Sequence, residues 1–341
     1  MKNGRYQIVI TRHMLKTDIR YIIDSVQSVV GDVFDIVIPD SFDEAGILME
    51  STLADVYLGP FITQKLLSSA SQLKLIQVPW TGMDTFDFAA IQGFEIPICN
   101  THSNANAVAE LGLALVLDVL KKISYHDRKM RIGSWNREQQ PLNLSSKLLS
   151  SQKVCILGYG NIGGRLGRLI SGFGSRIVAV DVKSENGQIY GHNELHLAYK
   201  PEEWLVAVSE ADITICTLPL TDSTRNLINA EALSQFITGS ILINISRAEI
   251  IEENSLYEAL RNGKLSGFAS DVWWDVPKRG ESHSWPSKIN NFTTFDNILL
   301  SPHRAGYVEN ALPHLDGAIE NIIRLVKGQE LMNQVDKRWH F

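Results

Sequence analysis

The sequence predicts an α/β protein with two doubly wound parallel-sheet domains, and three observations lead to that prediction. Short apolar runs alternate with amphipathic or polar stretches over the first hundred residues. A second series of such runs begins at Lys153 and continues to residue 300. Between Lys153 and Asp181 lies a glycine-rich turn, in the order strand, turn, helix start, strand and acid. Short apolar strands that alternate with helices are typical of parallel sheets covered on both faces.

Size and composition describe a globular protein without an obvious polyanionic partner. The 341 residues suffice for two domains of roughly 150 residues each. Hydrophobic residues make up 44% of the chain, and its net charge of −6 favours neither nucleic acid nor an anionic membrane. No apolar run reaches the length of about 20 residues that a membrane helix needs. The N-terminus also lacks the apolar core of a signal peptide, so we expect a cytoplasmic protein.

The cysteines support the same location. Cys99, Cys155 and Cys216 lie in apolar, strand-like stretches and show no ligand spacing. We therefore expect buried, reduced thiols, and neither a metal site nor a disulfide framework.

The first series of apolar runs predicts five strands, at residues 6–10, 33–38, 54–58, 73–78 and 94–99. From residue 106 to 123 the pattern becomes helical. Val108, Leu111, Leu113 and Leu117 form an apolar face that is too wide for a solvated helix. We expect this face to be buried between domains or subunits, which favours a homodimer.

The second series predicts six strands, at residues 154–157, 177–180, 213–217, 241–245, 267–270 and 298–300. Six strands fit a doubly wound nucleotide-binding domain. A last helix, predicted over residues 309–327, follows this domain and is expected to return to the first one.

The glycine turn has the residues that a dinucleotide requires. Gly158 permits the tight turn, Gly160 lets the backbone approach a pyrophosphate, and Gly163 lets the helix pack against the strand. Tyr159, Asn161 and Ile162 complete the turn, and the helix N-terminus offers N–H groups to the phosphates. The sequence therefore predicts NAD as the cofactor.

Asp181 bears on the choice between NAD and NADP. It follows Gly163 near the spacing of about 20 residues expected for the ligand of a ribose 2′-hydroxyl. A carboxylate there repels a 2′-phosphate, which favours NAD over NADP. Lys183, two residues later, could weaken that preference.

Seven motifs, in this order, carry a resemblance to one family: Gly82-Met-Asp84, Asn104-Ala-Asn-Ala-Val-Ala-Glu110, the Gly158 turn, Pro219-Leu-Thr221, Asn244-Ile-Ser-Arg247, Asp271-Val-Trp-Trp and Ser301-Pro-His303. The chain resembles the D-isomer-specific 2-hydroxyacid dehydrogenases, which include D-lactate, glycerate, phosphoglycerate and formate dehydrogenases. The resemblance covers nearly the whole chain. It implies a flavodoxin-like substrate domain (residues 1–103 and 304–341) and a Rossmann NAD-binding domain (residues 104–303), with substrate bound in a cleft that closes and excludes water.

Two residues at predicted strand ends are the expected catalytic pair. Arg247 follows the strand at 241–245, where a guanidinium can bind a carboxylate and polarise the neighbouring carbonyl. The resemblance makes His303, after the strand at 298–300, the general acid and base, a role that suits imidazole. The family has Arg-Gly where this chain has Arg247-Ala248.

One catalytic position departs from the family pattern. The resemblance implies a glutamate that hydrogen-bonds the histidine and raises its pKa, but this chain has Val276 there, before Pro277. Asp275 could take over the role, or the histidine could work at a lower pKa. The third alternative is that activity is weak or of another type. We slightly favour Asp275 as a third catalytic residue.

The resemblance also assigns the remaining site residues. Thr81, Gly82 and Asn104 are expected to hold the substrate carboxylate, and Trp80, beside them, either narrows the pocket or belongs to the core. Thr217 and Pro219 are expected along the nicotinamide, and Asp271 near its carboxamide. Of Trp273 and Trp274, one could line the cleft.

The expected function is hydride transfer between NAD and C2 of a small 2-hydroxy or 2-keto acid. One alternative is an NAD(H)-sensing interaction protein on the same fold, as in the family's corepressors. Another is a formate-type dehydrogenase.

Overall fold

The computed structural model describes residues 5–135, 145–278 and 281–336 and divides the chain into two compact units. The first unit comprises Met1–Asn104 and Tyr307–Phe341, and the second comprises Ala105–Gly306. Residue 104 therefore lies in the first unit and residues 304–306 in the second, a small displacement from the boundaries that the sequence suggested.

The first unit is a five-stranded parallel sheet with helices on both faces. Its elements are β1 (Tyr6–Ile10), α1 (Lys16–Val30), β2 (Phe34–Val37), α2 (Glu44–Ser51), β3 (Val56–Leu58), α3 (Gln64–Ser69), β4 (Leu75–Gln77), β5 (Ile98–Cys99) and, after the second unit, α10 (Pro313–Val326). The strand order β2-β1-β3-β4-β5 is the flavodoxin-like order. All five predicted strands are present.

The second unit is a seven-stranded parallel sheet, one strand more than predicted. Its elements are α4 (Ala105–Lys121), α5 (Ile123–Arg131), β6 (Lys153–Leu157), α6 (Asn161–Ser171), β7 (Arg176–Val180), β8 (Leu197–Tyr199), α7 (Trp204–Ser209), β9 (Ile213–Cys216), α8 (Ala230–Gln235), β10 (Ser240–Asn244), α9 (Glu253–Arg261), β11 (Leu265–Ser270) and β12 (Ile298–Leu300). The order β12-β11-β10-β9-β6-β7-β8 is that of a Rossmann domain. The predicted fold class is confirmed.

Each sheet has a hydrophobic core on either face. In the first unit, α10 contributes Leu315, Ile319 and Ile322 to the core that includes Ile8 and Ile22. The last helix therefore returns to the first sheet. In the second unit, the apolar face of α4 packs against the sheet and α6. Of the face expected between domains or subunits, Val108 is buried in the second unit, whereas Leu111, Leu113 and Leu117 are only partly buried there.

The remaining features agree with the composition. All three cysteines are buried and free, and burial raises the pKa of each thiol to about 12. Among the described residues, no helix is long and apolar enough to cross a membrane.

Candidate active site

The glycine turn joins β6 to α6 in a conformation that only small residues allow. Gly158 has φ +87°, and a Cβ there would lie 3.1 Å from the backbone of Thr217. A Cβ on Gly163 would lie 2.1 Å from the Gly158 carbonyl oxygen. Gly160 differs, because no atom lies within 4 Å of the position that its Cβ would occupy. The turn therefore packs tightly against the sheet at two glycines and leaves open space at the third.

Asp181 follows β7 and faces the same turn. Its Oδ2 accepts the peptide N–H of Tyr159 at 2.6 Å, and its Oδ1 accepts that of Lys183 at 2.9 Å. These two bonds fix the carboxylate beside the glycine turn. The open side of Gly160, the start of α6 at Asn161 and Ile162, and this oriented acid fit the pyrophosphate and ribose of a dinucleotide.

Thr217 and Pro219 follow β9, the neighbour of β6 in the sheet. The Thr217 hydroxyl donates to the Leu157 carbonyl at 3.1 Å and to that of Gly158 at 2.5 Å, so it ties the β9 loop to the turn. Pro219 is exposed, and its carbonyl accepts the Thr224 hydroxyl at 2.7 Å.

Arg247 stands at the end of β10, the next strand, and is half-buried. The Asn244 side chain shapes this turn, since its amide donates to the Arg247 carbonyl at 2.9 Å and its oxygen accepts the Ser246 N–H at 3.0 Å. The Arg247 guanidinium donates to the Ser246 carbonyl at 2.9 Å. Asn244 thus holds the backbone from which Arg247 projects.

His303 lies in the loop after β12 with φ +54° and an exposed side chain. Buried Asp271, at the end of the adjacent strand β11, holds this loop. Its carboxylate accepts the N–H of Arg304 at 2.8 Å and of Ala305 at 2.9 Å, and it also accepts the Ser301 hydroxyl. Two of these bonds fix the backbone just after His303, and the third holds the Ser301 side chain before it.

This contact of Asp271 was not predicted, although the sequence contained the signal for it. Asp271 and Ser301 each follow directly after a strand, and Ser270 pairs with Leu300 in the parallel register. Strand ends that are neighbours in a parallel sheet meet at one edge, so their loops can bond. The indole of Trp273 reinforces the loop, because Nε1 donates to the Ser301 carbonyl at 2.8 Å.

Val276, which stands in the position of the family glutamate, and Asp275, one residue earlier, face different surroundings. The side chain of Val276 is 58% exposed. The Asp275 carboxylate binds the Lys288 ammonium at 2.8 Å and accepts the Ser284 hydroxyl at 3.0 Å. The hydrogen bond from Lys288 lowers the pKa of Asp275. These contacts engage both carboxylate oxygens and give no support to Asp275 as a partner of His303.

The two tryptophans after Asp271 both pack against the core of the second unit. Trp274 stacks on Phe292 with the ring centroids 5.5 Å apart, and Trp273 meets Phe268 edge to face. Both rings therefore contribute to that core.

Thr81 and Asn104 are brought together within the first unit. The Thr81 hydroxyl donates to the Thr101 carbonyl at 2.8 Å and to Asn104 Oδ1 at 3.2 Å. Asn100, which the sequence did not single out, donates its side-chain amide to the Thr81 carbonyl at 2.8 Å. Together with the half-buried Gly82, these residues form a polar loop at the carboxyl edge of the first sheet.

Trp80, just before this loop, is half-buried against the core of the first unit. The guanidinium of Arg12, which follows β1, lies over its ring at 4.8 Å from the centroid. The core interpretation therefore accounts for part of the Trp80 side chain, and the Arg12 guanidinium covers one face of its ring.

A Rossmann sheet with a glycine turn, an acid after its second strand and polar residues at its carboxyl edge is typical of dinucleotide-binding proteins. Residues 113–305 match the family model described as "D-isomer specific 2-hydroxyacid dehydrogenase, NAD binding domain". The chain is 30% identical to a glyoxylate reductase of Aeropyrum pernix, over 80% of this chain and 79% of that one. It is 28% identical to a hydroxypyruvate reductase of Thermotoga maritima, over 71% and 74% of the two chains.

Solved structures share the fold over nearly the whole chain. A 2-hydroxyacid dehydrogenase from Ketogulonicigenium vulgare superposes with a TM-score of 0.76 at 23% identity, covering 98% of this chain and 99% of that one. D-lactate dehydrogenase from Aquifex aeolicus, solved with NAD and lactic acid, superposes with a TM-score of 0.75 at 21% identity. The match covers 94% of this chain and 96% of that one. The chain belongs to the D-isomer specific 2-hydroxyacid dehydrogenase family. It is an NAD-dependent oxidoreductase that acts on 2-hydroxy or 2-keto acids.

Proposed function

We propose that the enzyme interconverts a small 2-keto acid and its D-2-hydroxy acid, with Arg247 as the anion-binding group and His303 as the general acid and base. The observation that carries the proposal is the position of both residues at carboxyl ends of strands in the sheet that bears the glycine turn. Ligands of open α/β sheets bind at that edge. NADH, when bound, supplies the hydride.

The proposed role of Arg247 follows from the chemistry of its guanidinium and from the turn that holds its backbone. A guanidinium offers parallel N–H donors that match a carboxylate, and it keeps its charge at any working pH. The turn built by Asn244 fixes the backbone of Arg247. In this role Arg247 binds the substrate carboxylate and stabilises the negative charge that develops on the carbonyl oxygen at C2.

The role of His303 is to move one proton. As hydride reaches C2, the imidazolium of His303 donates its proton to the carbonyl oxygen and becomes neutral; in the reverse direction the neutral ring removes the hydroxyl proton. The bonds from Asp271 to the backbone around His303 support this role, because a proton donor must be held within hydrogen-bond reach of the reacting oxygen.

In the same proposal, the loop formed by Thr81, Gly82 and Asn104 binds the substrate carboxylate. Its support is the bond between the Thr81 hydroxyl and Asn104 Oδ1, which leaves the Asn104 amide nitrogen as a potential donor. We propose two- and three-carbon acids as the first substrates to test, because curated relatives are named glyoxylate reductase and hydroxypyruvate reductase.

The test is NADH oxidation with glyoxylate, hydroxypyruvate and pyruvate, by the wild-type enzyme and by Arg247→Ala and His303→Asn. Asparagine tolerates the left-handed backbone at position 303 and so keeps the loop. We expect kcat/KM to fall about 10²- to 10³-fold for Arg247→Ala and about 10²- to 10⁴-fold for His303→Asn. The matched controls, Arg225→Ala and His283→Asn, alter exposed residues of the same unit and should retain activity. Unchanged turnover in both site variants would refute the assignment.

An NAD(H)-sensing interaction role is the second candidate, favoured by Val276, an exposed apolar side chain where a glutamate is expected. It requires that no 2-keto acid supports NADH oxidation and that NADH changes the oligomer size. NAD reduction by formate would instead indicate a formate-type dehydrogenase.

We also propose that the protein is a cytoplasmic homodimer. Its support is a set of exposed apolar side chains in and around α5, with exposed fractions between 48% and 77%: Ile123, Met130, Ile132, Trp135 and Leu148. Exposed apolar side chains mark an interaction surface where they are contiguous. Light scattering should give twice the chain mass, and Ile132→Lys should shift the protein towards monomer.

The buried free thiols support a reducing compartment, which cell fractionation would test.

A further inference from the structure

A polar cluster lies under the glycine turn and is not explained by any role given so far. Tyr159 is only 1% exposed, and its hydroxyl donates to Glu194 Oε1 at 3.0 Å. The same carboxylate oxygen lies 2.8 Å from His192 Nδ1 and 3.7 Å from Arg168 Nε. The Glu194 side chain is 12% exposed. A carboxylate that is this buried needs such partners, so the cluster is a specific arrangement.

The sequence of α6 is adapted to this cluster. Gly164 and Gly167 follow the glycines of the turn, inside a helix that glycine weakens. A Cβ on Gly164 would lie 2.8 Å from His192 Cε1, and a Cβ on Gly167 would lie 1.8 Å from the Tyr159 hydroxyl oxygen. The two rings also meet edge to face, with centroids 4.9 Å apart. Both helix glycines therefore provide room for the rings.

Tyr159 connects this cluster to the acid on the ligand side. Its side chain reaches Glu194, while its peptide N–H donates to Asp181 Oδ2 at 2.6 Å. The orientation of the Tyr159 peptide thus depends on an anchored ring, and the orientation of the Asp181 carboxylate depends on that peptide. Tyr159 therefore links two carboxylates, because its hydroxyl donates to Glu194 and its peptide N–H donates to Asp181.

The protonation states agree with this arrangement. Burial raises the pKa of Tyr159, and the charge of Glu194 raises it further, so the hydroxyl remains a donor. Burial opposes ionisation of Glu194, but the hydrogen bonds from His192 and Tyr159 outweigh it and lower the pKa of this carboxyl. Glu194 is therefore an ionised acceptor at neutral pH.

We propose that Tyr159, His192 and Glu194 are positioning residues for NAD, which hold the glycine turn and Asp181 in the binding conformation from beneath. They do not touch the reacting atoms. The proposal depends on NAD binding by the second unit and is independent of the roles proposed for Arg247 and His303.

The test compares Tyr159→Phe and Glu194→Gln with the wild-type enzyme. Tyr159→Phe keeps the ring and removes only the hydroxyl, whereas Glu194→Gln removes the charge. We expect the Kd for NADH, measured by fluorescence without substrate, to rise roughly 5- to 20-fold in each variant. The KM for the 2-keto acid and kcat at saturating NADH should stay within about twofold of wild type. Tyr190→Phe is the matched control, because Tyr190 lies in the same segment and is fully exposed.

A double variant separates a network from two independent contacts. If the residues act together, Tyr159→Phe/Glu194→Gln should weaken NADH binding no more than the stronger single change. Additive effects would overturn the proposal. So would a lower melting temperature with an unchanged Kd, since that result describes a structural role alone. If Tyr159→Phe fails to fold, Glu194→Gln and His192→Asn, with the same Kd measurement, decide the question.

Discussion

The carboxylate of Asp271 accepts the peptide N–H of Ala305 at 2.9 Å, across the ends of two neighbouring strands. Together with the bond from the Arg304 N–H, it fixes the backbone immediately after His303. Asp271 is 2% exposed, so water cannot replace these bonds. The loop that carries the proposed proton donor therefore depends on one buried carboxylate.

Asp271→Asn should damage both stability and turnover. Asparagine keeps the shape, but its amide group can accept at only one atom, so one of the three donors faces an N–H group or loses its partner. We expect a loss of about 1–3 kcal/mol in the free energy of unfolding, measured in urea, and a lower kcat. Asp222→Asn, at an exposed position of the same unit, is the control. Wild-type values for Asp271→Asn would contradict this role.

The glycine turn allows a matched pair of alanine variants. Gly160→Ala should fold normally, since nothing lies within 4 Å of the new Cβ, but its methyl group occupies the open side and should weaken NADH binding about tenfold or more. Gly163→Ala should instead destabilise the protein, because the Cβ would lie 2.1 Å from a backbone oxygen. Melting temperature and NADH affinity, measured on both variants, check the prediction. An equal loss of stability in both variants would contradict the open space beside Gly160.

Asp181 should control the choice between NADH and NADPH. Asp181→Ala removes the proposed acceptor for the ribose hydroxyl and, with it, the charge that would repel a 2′-phosphate. The ratio of kcat/KM for NADH to that for NADPH should fall by at least about tenfold. Lys183→Ala is the second arm of the experiment, since this lysine could favour a phosphate. A ratio that stays constant in Asp181→Ala would remove Asp181 from the cofactor site.

Asp275 should not control the pH dependence of catalysis. Its carboxylate binds Lys288 and Ser284, so Asp275→Asn should leave the pH profile of kcat in place. Asp275→Asn should instead change how the free energy of unfolding depends on pH in the acid range. The Lys288 contact lowers the pKa of Asp275 below its ordinary value of 3.8, so this stabilisation is present above that value and is lost as the pH falls through the lower, folded-state pKa. A shifted kcat profile in Asp275→Asn, but not in Lys288→Gln, would restore Asp275 as a partner of His303.

The reactivity of the three thiols reports how well the cores of both units exclude solvent. Cys99, Cys155 and Cys216 are buried, and each has a pKa raised to about 12, so thiolate is scarce at neutral pH. The native protein should not react with a thiol-specific disulfide reagent within minutes, and the protein in denaturant should release three equivalents. Fast reaction of a native thiol would indicate local opening of the strand that carries it.

The sequence predicted the fold well because hydrophobic periodicity and turn glycines act locally. The strand it missed, β8, is only three residues long and follows a polar segment, so no apolar run marks it. Side-chain partners were harder to predict. The bonds of Asp275 with Lys288 and Ser284, and those of Asp271 with the His303 loop, join residues 9 or more positions apart, and only the folded backbone decides which of them meet.

His303 occupies a left-handed backbone conformation, φ +54°, that costs an L-residue other than glycine roughly 1–2 kcal/mol. Folding and chemistry therefore make opposite demands at this position. A screen for thermal stability alone should favour glycine or asparagine at position 303, and its best performers should be inactive. Efforts to stabilise this enzyme will need to select for turnover at every round, because a change that relieves the backbone at position 303 also removes the proposed proton donor.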